Sequence, residues 1–166
     1  MISKKVVLTG PLGVGKTSLF NRFLYQRFSK EYLSTIGAKI DKKVLDIEGR
    51  ALTLMVWDIA GEVAQKQVPL SYFLGASGII YVFDLSRPAT FLNMKQDLDY
   101  LRQILPGVCL KVVGNKTDLL EAEALAEVLN QIPHPPDVLT SAKTGENVET
   151  LFQDLGRALL DTSLPS

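Results

Sequence analysis

Cysteine is nearly absent from this 166-residue chain, and the single one, Cys109, excludes an internal disulfide framework. Its place at the start of a strand-like run marks it as a small buried hydrophobe rather than a reactive thiol. Net charge is absent too: 18 Lys and Arg balance 18 Asp and Glu, so no overall field draws the chain to nucleic acid or anionic lipid. Partners must be recognised by local surface. No apolar stretch approaches the roughly 20 residues that span a bilayer, and the N-terminus lacks the long apolar core of a secretion signal, which predicts a cytoplasmic protein. The last residues, Asp161-Thr162-Ser163-Leu164-Pro165-Ser166, hold neither a cysteine for prenylation nor a basic cluster. No intrinsic membrane anchor is therefore expected, the chain being either an untailed protein or one whose tail is missing. No linker or low-complexity segment divides the sequence, and 46% hydrophobic content suits one domain over 1–166, expected as a monomer.

What is present is an alternation of strand-like and helix-like patterns. Strand-like runs lie near Lys4–Thr9, Ala38–Ile47, Ala51–Ile59, Gly78–Asp84, Leu110–Asn115 and Asp137–Thr140. Glu48-Gly49-Arg50 between the second and third is a hairpin signal, which puts one antiparallel strand in an otherwise parallel sheet. Helical periodicity covers Lys16–Gln26, the region around Val68–Leu74, Ala89–Leu105, Glu121–Ile132 and Val148–Leu160. That order predicts an α/β domain with a six-stranded, mostly parallel sheet and helices on both faces. The unbroken apolar run Gly78-Ile79-Ile80-Tyr81-Val82-Phe83 fits a strand covered on both sides.

Two motifs sit at the ends of predicted strands. Gly10-Pro11-Leu12-Gly13-Val14-Gly15-Lys16-Thr17 has the GxxxxGKT spacing of a phosphate-binding loop between a strand and a helix. Its backbone N–H groups converge on phosphate oxygens, Lys16 reaches the β- and γ-phosphates, and the Thr17 hydroxyl can enter a Mg²⁺ shell. A glycine-rich turn opening any helix shares part of this pattern, and many ATP-binding proteins share all of it. Asn115-Lys116-Thr117-Asp118 narrows the choice. Guanine presents adjacent N1–H and N2–H₂ donors that the two oxygens of Asp118 can accept together, a pair that adenine lacks. GTP, GDP and Mg²⁺ are the expected ligands.

With these motifs the chain resembles a Ras-superfamily small GTPase from about Lys4 to Leu159. Ser34-Thr35-Ile36-Gly37 is similar to the first switch, Trp57-Asp58-Ile59-Ala60-Gly61-Glu62 to the second, and Ser141-Ala142-Lys143 to the loop behind the guanine. Tyr32-Leu33-Ser34-Thr35-Ile36-Gly37, Tyr72-Phe73-Leu74-Gly75-Ala76 and Ser141 to Glu149 look most like the Rab branch. The resemblance implies the small G-domain version of the P-loop NTPase fold. It also implies nucleotide contacts from Gly13, Val14, Gly15, Lys16, Thr17, Ser18, Phe28, Thr35, Gly61, Asn115, Lys116, Asp118, Ser141, Ala142 and Lys143. Metal ligation falls to Thr17, Thr35 and Asp58, and hydrolysis to Lys16, Thr35, Gly61 and Glu62. The Ala142 N–H would donate to guanine O6, where an adenine amino group would meet a donor instead. Effectors, exchange factors and activating proteins are expected at the switch loops, whose γ-phosphate contacts exist only with GTP.

Three positions depart from the family's pattern. Leu12 stands where a glycine or another small residue is usual, and Glu62 where a glutamine orients the attacking water. An ionised Glu62 offers only acceptors and adds negative charge beside the γ-phosphate, while Leu12 crowds the place of an arginine finger. Slow intrinsic turnover is the expectation, with a hydrolysis-deficient GTP-binding interaction module as the alternative. Gln65 and Gln67, the nearest glutamines, could substitute for the missing one, although each reads first as a solvated switch face. Gly37-Ala38-Lys39-Ile40 lacks the aromatic common in Rab proteins, so familiar Rab effectors are not expected to fit.

Overall fold

The computed structural model describes residues 2–25, 38–59 and 65–161. Six strands, β1 (Ile2–Thr9), β2 (Ala38–Ile47), β3 (Arg50–Ile59), β4 (Ala76–Asp84), β5 (Cys109–Asn115) and β6 (Val138–Leu139), form one sheet in the order β2-β3-β1-β4-β5-β6. β1 runs parallel to β3 and β4, the pairs β4–β5 and β5–β6 are parallel, and β2 alone is antiparallel, against β3. The antiparallel turn is tighter than the sequence suggests. Arg50 pairs with Ile47 inside the ladder, leaving Glu48 and Gly49 as a two-residue loop with φ of 53° and 85°. That double left-handed conformation matches the twist of the flanking strands, and the Gly49 N–H donates to Asp46 Oδ1 at 2.7 Å.

Helices α1 (Lys16–Tyr25), α2 (Leu70–Phe73), α3 (Met94–Ile104), α4 (Ala122–Gln131) and α5 (Val148–Asp161) cover the sheet. Strand alternation sends Val6, Leu8, Leu54, Val56, Ile80 and Val82 to one face, where α1 and α5 close over them with Leu19, Phe20, Phe23, Leu151, Phe152 and Leu155. Phe23 and Phe152 stack there at 3.6 Å between ring centroids. Val7, Ile79, Tyr81 and Phe83 face the other way, against Phe73 and the Met94, Leu98 and Leu101 stripe of α3. Burying both faces explains why β4 is apolar without alternation.

α3 begins later than its periodicity predicts. Pro88–Thr90 forms a 3₁₀ turn, and the Thr90 hydroxyl accepts the Asp84 N–H at 2.9 Å while lying 2.8 Å from the Arg87 carbonyl. This side chain ties the 3₁₀ turn back to the end of β4, and the stretch from Ala89 to Asn93 folds as turns ahead of α3. β6 is also shorter than expected, two residues, although Asp137 N–H to the Val112 carbonyl at 2.7 Å and Thr140 N–H to the Gly114 carbonyl at 2.8 Å carry the pairing beyond it.

Candidate functional site

The C-terminal ends of β1, β3, β4, β5 and β6 converge on one edge, the side on which open α/β sheets take their ligands. β1 delivers residues 10–15 as a loop that glycine alone permits at two points. At Gly10, with φ 141°, a Cβ would lie 2.2 Å from the Val82 carbonyl oxygen; at Gly15, with φ 99°, it would lie 2.3 Å from Asn115 Nδ2. Val14 is buried in the core beneath the loop, which anchors it. Lys16 folds back into the loop's concavity, where its ammonium donates to the Gly10 and Pro11 carbonyls at 3.1 and 3.0 Å.

Beside it the Thr17 hydroxyl donates to Asp58 Oδ2 at 2.7 Å. Asp58 is only 5% exposed, and its Oδ1 is a buried oxygen without a hydrogen-bond partner. Burial pushes the carboxyl above its usual range, opposed by the Thr17 hydroxyl and the Lys16 charge. An orphaned carboxylate oxygen next to a hydroxyl suits a hard divalent cation of the Mg²⁺ kind. Among the described residues no group of three His, Cys, Asp or Glu could hold a metal ion, so the rest of such a shell would come from ligands other than these, such as phosphate oxygens, water or the Thr35 hydroxyl expected from the sequence.

The second motif is tied to the first. Buried Asn115 donates from Nδ2 to the Val14 carbonyl at 3.0 Å, and its Oδ1 accepts from the Thr140 hydroxyl at 3.0 Å and the Ala142 N–H at 3.2 Å. One side chain thus joins the loops that leave β1, β5 and β6. The Ala142 N–H, expected from the sequence at guanine O6, instead donates to Asn115. Lys116 adopts a left-handed backbone, φ 72°, and its ammonium donates to the Gly13 carbonyl at 3.0 Å while pairing with Asp84 Oδ2 at 2.9 Å. Asp84, fully buried at the end of β4, accepts the Ser86 N–H and hydroxyl at 2.8 and 2.6 Å on its other oxygen. Asp118 is exposed at the edge, with Oδ1 accepting from Ser141 Oγ at 2.7 Å, and Lys143 is exposed beyond it. Ser18 follows Thr17 half-buried in α1.

The structure therefore gathers Gly13 to Ser18, Asp58, Asn115, Lys116, Asp118 and Ser141 to Lys143 around one edge; Phe28, Thr35, Gly61 and Glu62 lie outside the described residues. Leu12 projects from the phosphate loop with 66% of its surface exposed. Two arginines join the site without any signal from the motifs. Arg22 of α1 donates from Nε to the Ala142 carbonyl at 2.8 Å and from Nη2 to the Lys143 carbonyl. Arg87 reaches the Gly13 carbonyl at 3.3 Å.

Gln65 corrects the sequence reading. It is 0% exposed rather than solvated: its Oε1 accepts from the Thr9 hydroxyl, and its N–H donates to Asp97 Oδ1 at 3.2 Å. Tyr81 donates its hydroxyl to the other oxygen of buried Asp97 at 2.6 Å. Gln67 is exposed, as expected. Cys109 is half-buried against the α1–α5 core, and burial raises its thiol pKa, in keeping with a packing role.

The model of the Ras family matches residues 5–161. The chain is 35% identical to the GTP-binding protein ypt1 of Schizosaccharomyces pombe, over 93% of this chain and 79% of that protein. It is 36% identical to the Ras-related protein RABA2a of Arabidopsis thaliana, over 91% of this chain and 72% of the relative. With the Ras-related protein SEC4 of Saccharomyces cerevisiae the identity is 34%, over 93% and 74%.

Proposed function

The chain belongs to the Ras family, on its Rab-like side, and we propose that it is a single-domain, Mg²⁺-dependent guanine-nucleotide switch that turns GTP over slowly. Membership makes it a small GTP-binding protein of a GTPase family; the finer claims rest on this chain's own residues. The observation that carries them is the Asn115 side chain, which ties the loop that would hold phosphate to the loop that would read the base. A nucleotide laid along that edge has its phosphates within the 10–15 loop and its base against Asp118.

Lys16 would exchange its two loop carbonyls for phosphate oxygens, a stronger, charge-assisted pairing. Thr17 and Asp58 would hold Mg²⁺, which supplies charge neutralisation at the β- and γ-phosphates. Lys116, fixed from below by Asp84 and Gly13, would lay its stem along the purine. Asp118 would accept the guanine N1–H and N2–H₂ together, and guanine O6 would share or take over the Ala142 N–H that donates to Asn115 Oδ1 in this structure. Thr35 and Gly61 would complete the γ-phosphate contacts, with effectors and regulators reading the two switch segments. Competition binding tests this: GDP and GTP should displace a labelled guanine nucleotide far better than ATP. Equal displacement by ATP would overturn the assignment.

Leu12 favours keeping a second reading, an interaction module that holds GTP without hydrolysing it, because its exposed side chain stands where a partner's catalytic arginine would enter. Single-turnover hydrolysis with and without candidate activators separates the two. A rate that no activator raises supports the module.

A further inference from the structure

Arg22 belongs to neither nucleotide motif, yet it grips the loop behind the proposed base site by two backbone carbonyls. Its Nε donates to the Ala142 carbonyl at 2.8 Å and its Nη2 to the Lys143 carbonyl. A guanidinium presents such donors in one rigid plane, which a lysine cannot imitate. The loop also folds over the side chain itself: Gly145, with φ 88°, brings its Cβ direction within 3.8 Å of Arg22 Cδ and 3.9 Å of Cζ.

The consequence follows from peptide planarity. The Lys143 carbonyl and the Thr144 N–H belong to one trans peptide unit and point in opposite directions. Holding the carbonyl toward α1 aims the N–H away from it, and that N–H donates to Ser141 Oγ at 3.1 Å. With its acceptor side engaged, the Ser141 hydroxyl turns its proton to Asp118 Oδ1, 2.7 Å away. A directed chain of hydrogen bonds thus runs from Arg22 through the 143–144 peptide and Ser141 to the carboxylate proposed to read guanine. Arg22 and Lys16 also lie on the same ten-residue helix, so the base loop is referenced to the rigid element that begins at the phosphate loop.

We propose that Arg22 is a positioning residue for guanine recognition, which orients Asp118 through the 143–144 peptide and Ser141 and so sets preference for the guanine 2-amino group. The inference rests on the guanine-site reading above. The test compares GDP, IDP and ADP in Mg²⁺ buffer for the full chain. IDP keeps O6 and N1–H but lacks the 2-amino group, so the GDP-to-IDP affinity ratio measures the grip of Asp118 separately from phosphate binding.

Arg22→Ala should lower GDP affinity about tenfold or more, the scale of losing hydrogen bonds to a charged group, and narrow the GDP-to-IDP ratio. Arg22→Lys, which keeps charge and stem but not the planar fork, should fall between. In a Ser141→Ala background the route is already cut, so Arg22→Ala should leave the ratio unchanged. Thermal unfolding of each nucleotide-free variant separates misfolding from the effect, and Arg22→Lys decides the question if Arg22→Ala does not fold. Equal losses for GDP and IDP would reduce Arg22 to a brace and overturn the inference alone. A wild type that does not distinguish GDP from ADP would overturn the guanine reading and Arg22's role with it.

Discussion

Removing one oxygen, Tyr81→Phe, tests whether the buried cluster under the second switch segment is held by charge-assisted hydrogen bonding. Tyr81 is fully buried and donates to Asp97 Oδ2 at 2.6 Å, while Gln65 N–H serves the other oxygen at 3.2 Å. Burial pushes the Asp97 carboxyl above its usual range, against the lowering effect of these two donors, and pushes the Tyr81 hydroxyl up as well. Phenylalanine keeps the ring and its packing, so no cavity of consequence opens. The loss is that of a donor to a buried charged acceptor, about 2 kcal/mol, or about 4–8 °C in Tm for a chain of this size. The effect must depend on pH. Because the folded pKa of Asp97 lies above the unfolded one, proton binding favours the native state at pH below the unfolded value, and that contribution is lost as pH rises through the folded value. Without the Tyr81 hydroxyl the folded pKa rises further. The variant's deficit should be largest where wild-type Asp97 is ionised and shrink as pH falls through the folded values. Urea denaturation at pH 7.5 and at several lower pH values reads this directly. A deficit under about 0.5 kcal/mol at pH 7.5, or one flat across pH, would refute the reasoning.

Asp118→Asn should weaken GDP binding and improve XDP binding, because the new amide donates to the xanthine C2 carbonyl; competition with the two diphosphates measures the exchange. The wild type should hydrolyse GTP no faster than the unaided family scale of about 10⁻⁴ s⁻¹ in single turnover, and Leu12→Gly combined with Glu62→Gln should raise that rate or its response to an activator. Since Leu12 is 66% exposed, Leu12→Gly alone should leave folding stability within about 0.5 kcal/mol, as urea titration would show. Gly10→Ala places a methyl 2.2 Å from a strand carbonyl that cannot retreat, so it should cost more than about 2 kcal/mol of stability and abolish GDP binding, both measurable in one thermal-shift series.

The parts of the site legible in the sequence are those whose chemistry is local. The phosphate loop needs its glycines and lysine within eight consecutive positions, and Asn115 to Asp118 follows directly on an apolar strand, so spacing alone exposes both. The sheet was legible for a related reason: its apolar strands and the Glu48-Gly49 turn leave a pattern in neighbouring residues. What stayed hidden is carried by partners far apart in the chain. Gln65 lies beside Lys66 and Gln67, a polar run that reads as solvated; its partners, Thr9 and Asp97, are 56 and 32 residues away. Arg22, 120 residues from the Ala142 carbonyl it holds, leaves no mark in the periodicity of α1. The later start of α3 was hidden as well, since Thr90 is held by its hydroxyl to Asp84 at the end of β4, a contact that apolar periodicity does not register.

The same distribution of partners separates binding from turnover. Asn115, Asp84 and Ser141 are buried polar groups, each with at least two partners, of which at least one comes from another segment, so changing any of them leaves several groups unpaired at once. The proposed guanine site is thus tied to the stability of the sheet edge. Leu12 has no such obligations: it stands exposed above a loop whose shape is set by Gly10, Val14 and Gly15 beneath and beside it. If the nucleotide lies as proposed, a substitution there would alter what can approach the γ-phosphate without disturbing what holds the nucleotide. On the proposed reading, Leu12 is therefore a departure from the family's pattern at which the fold would permit a change of rate at almost no cost in affinity.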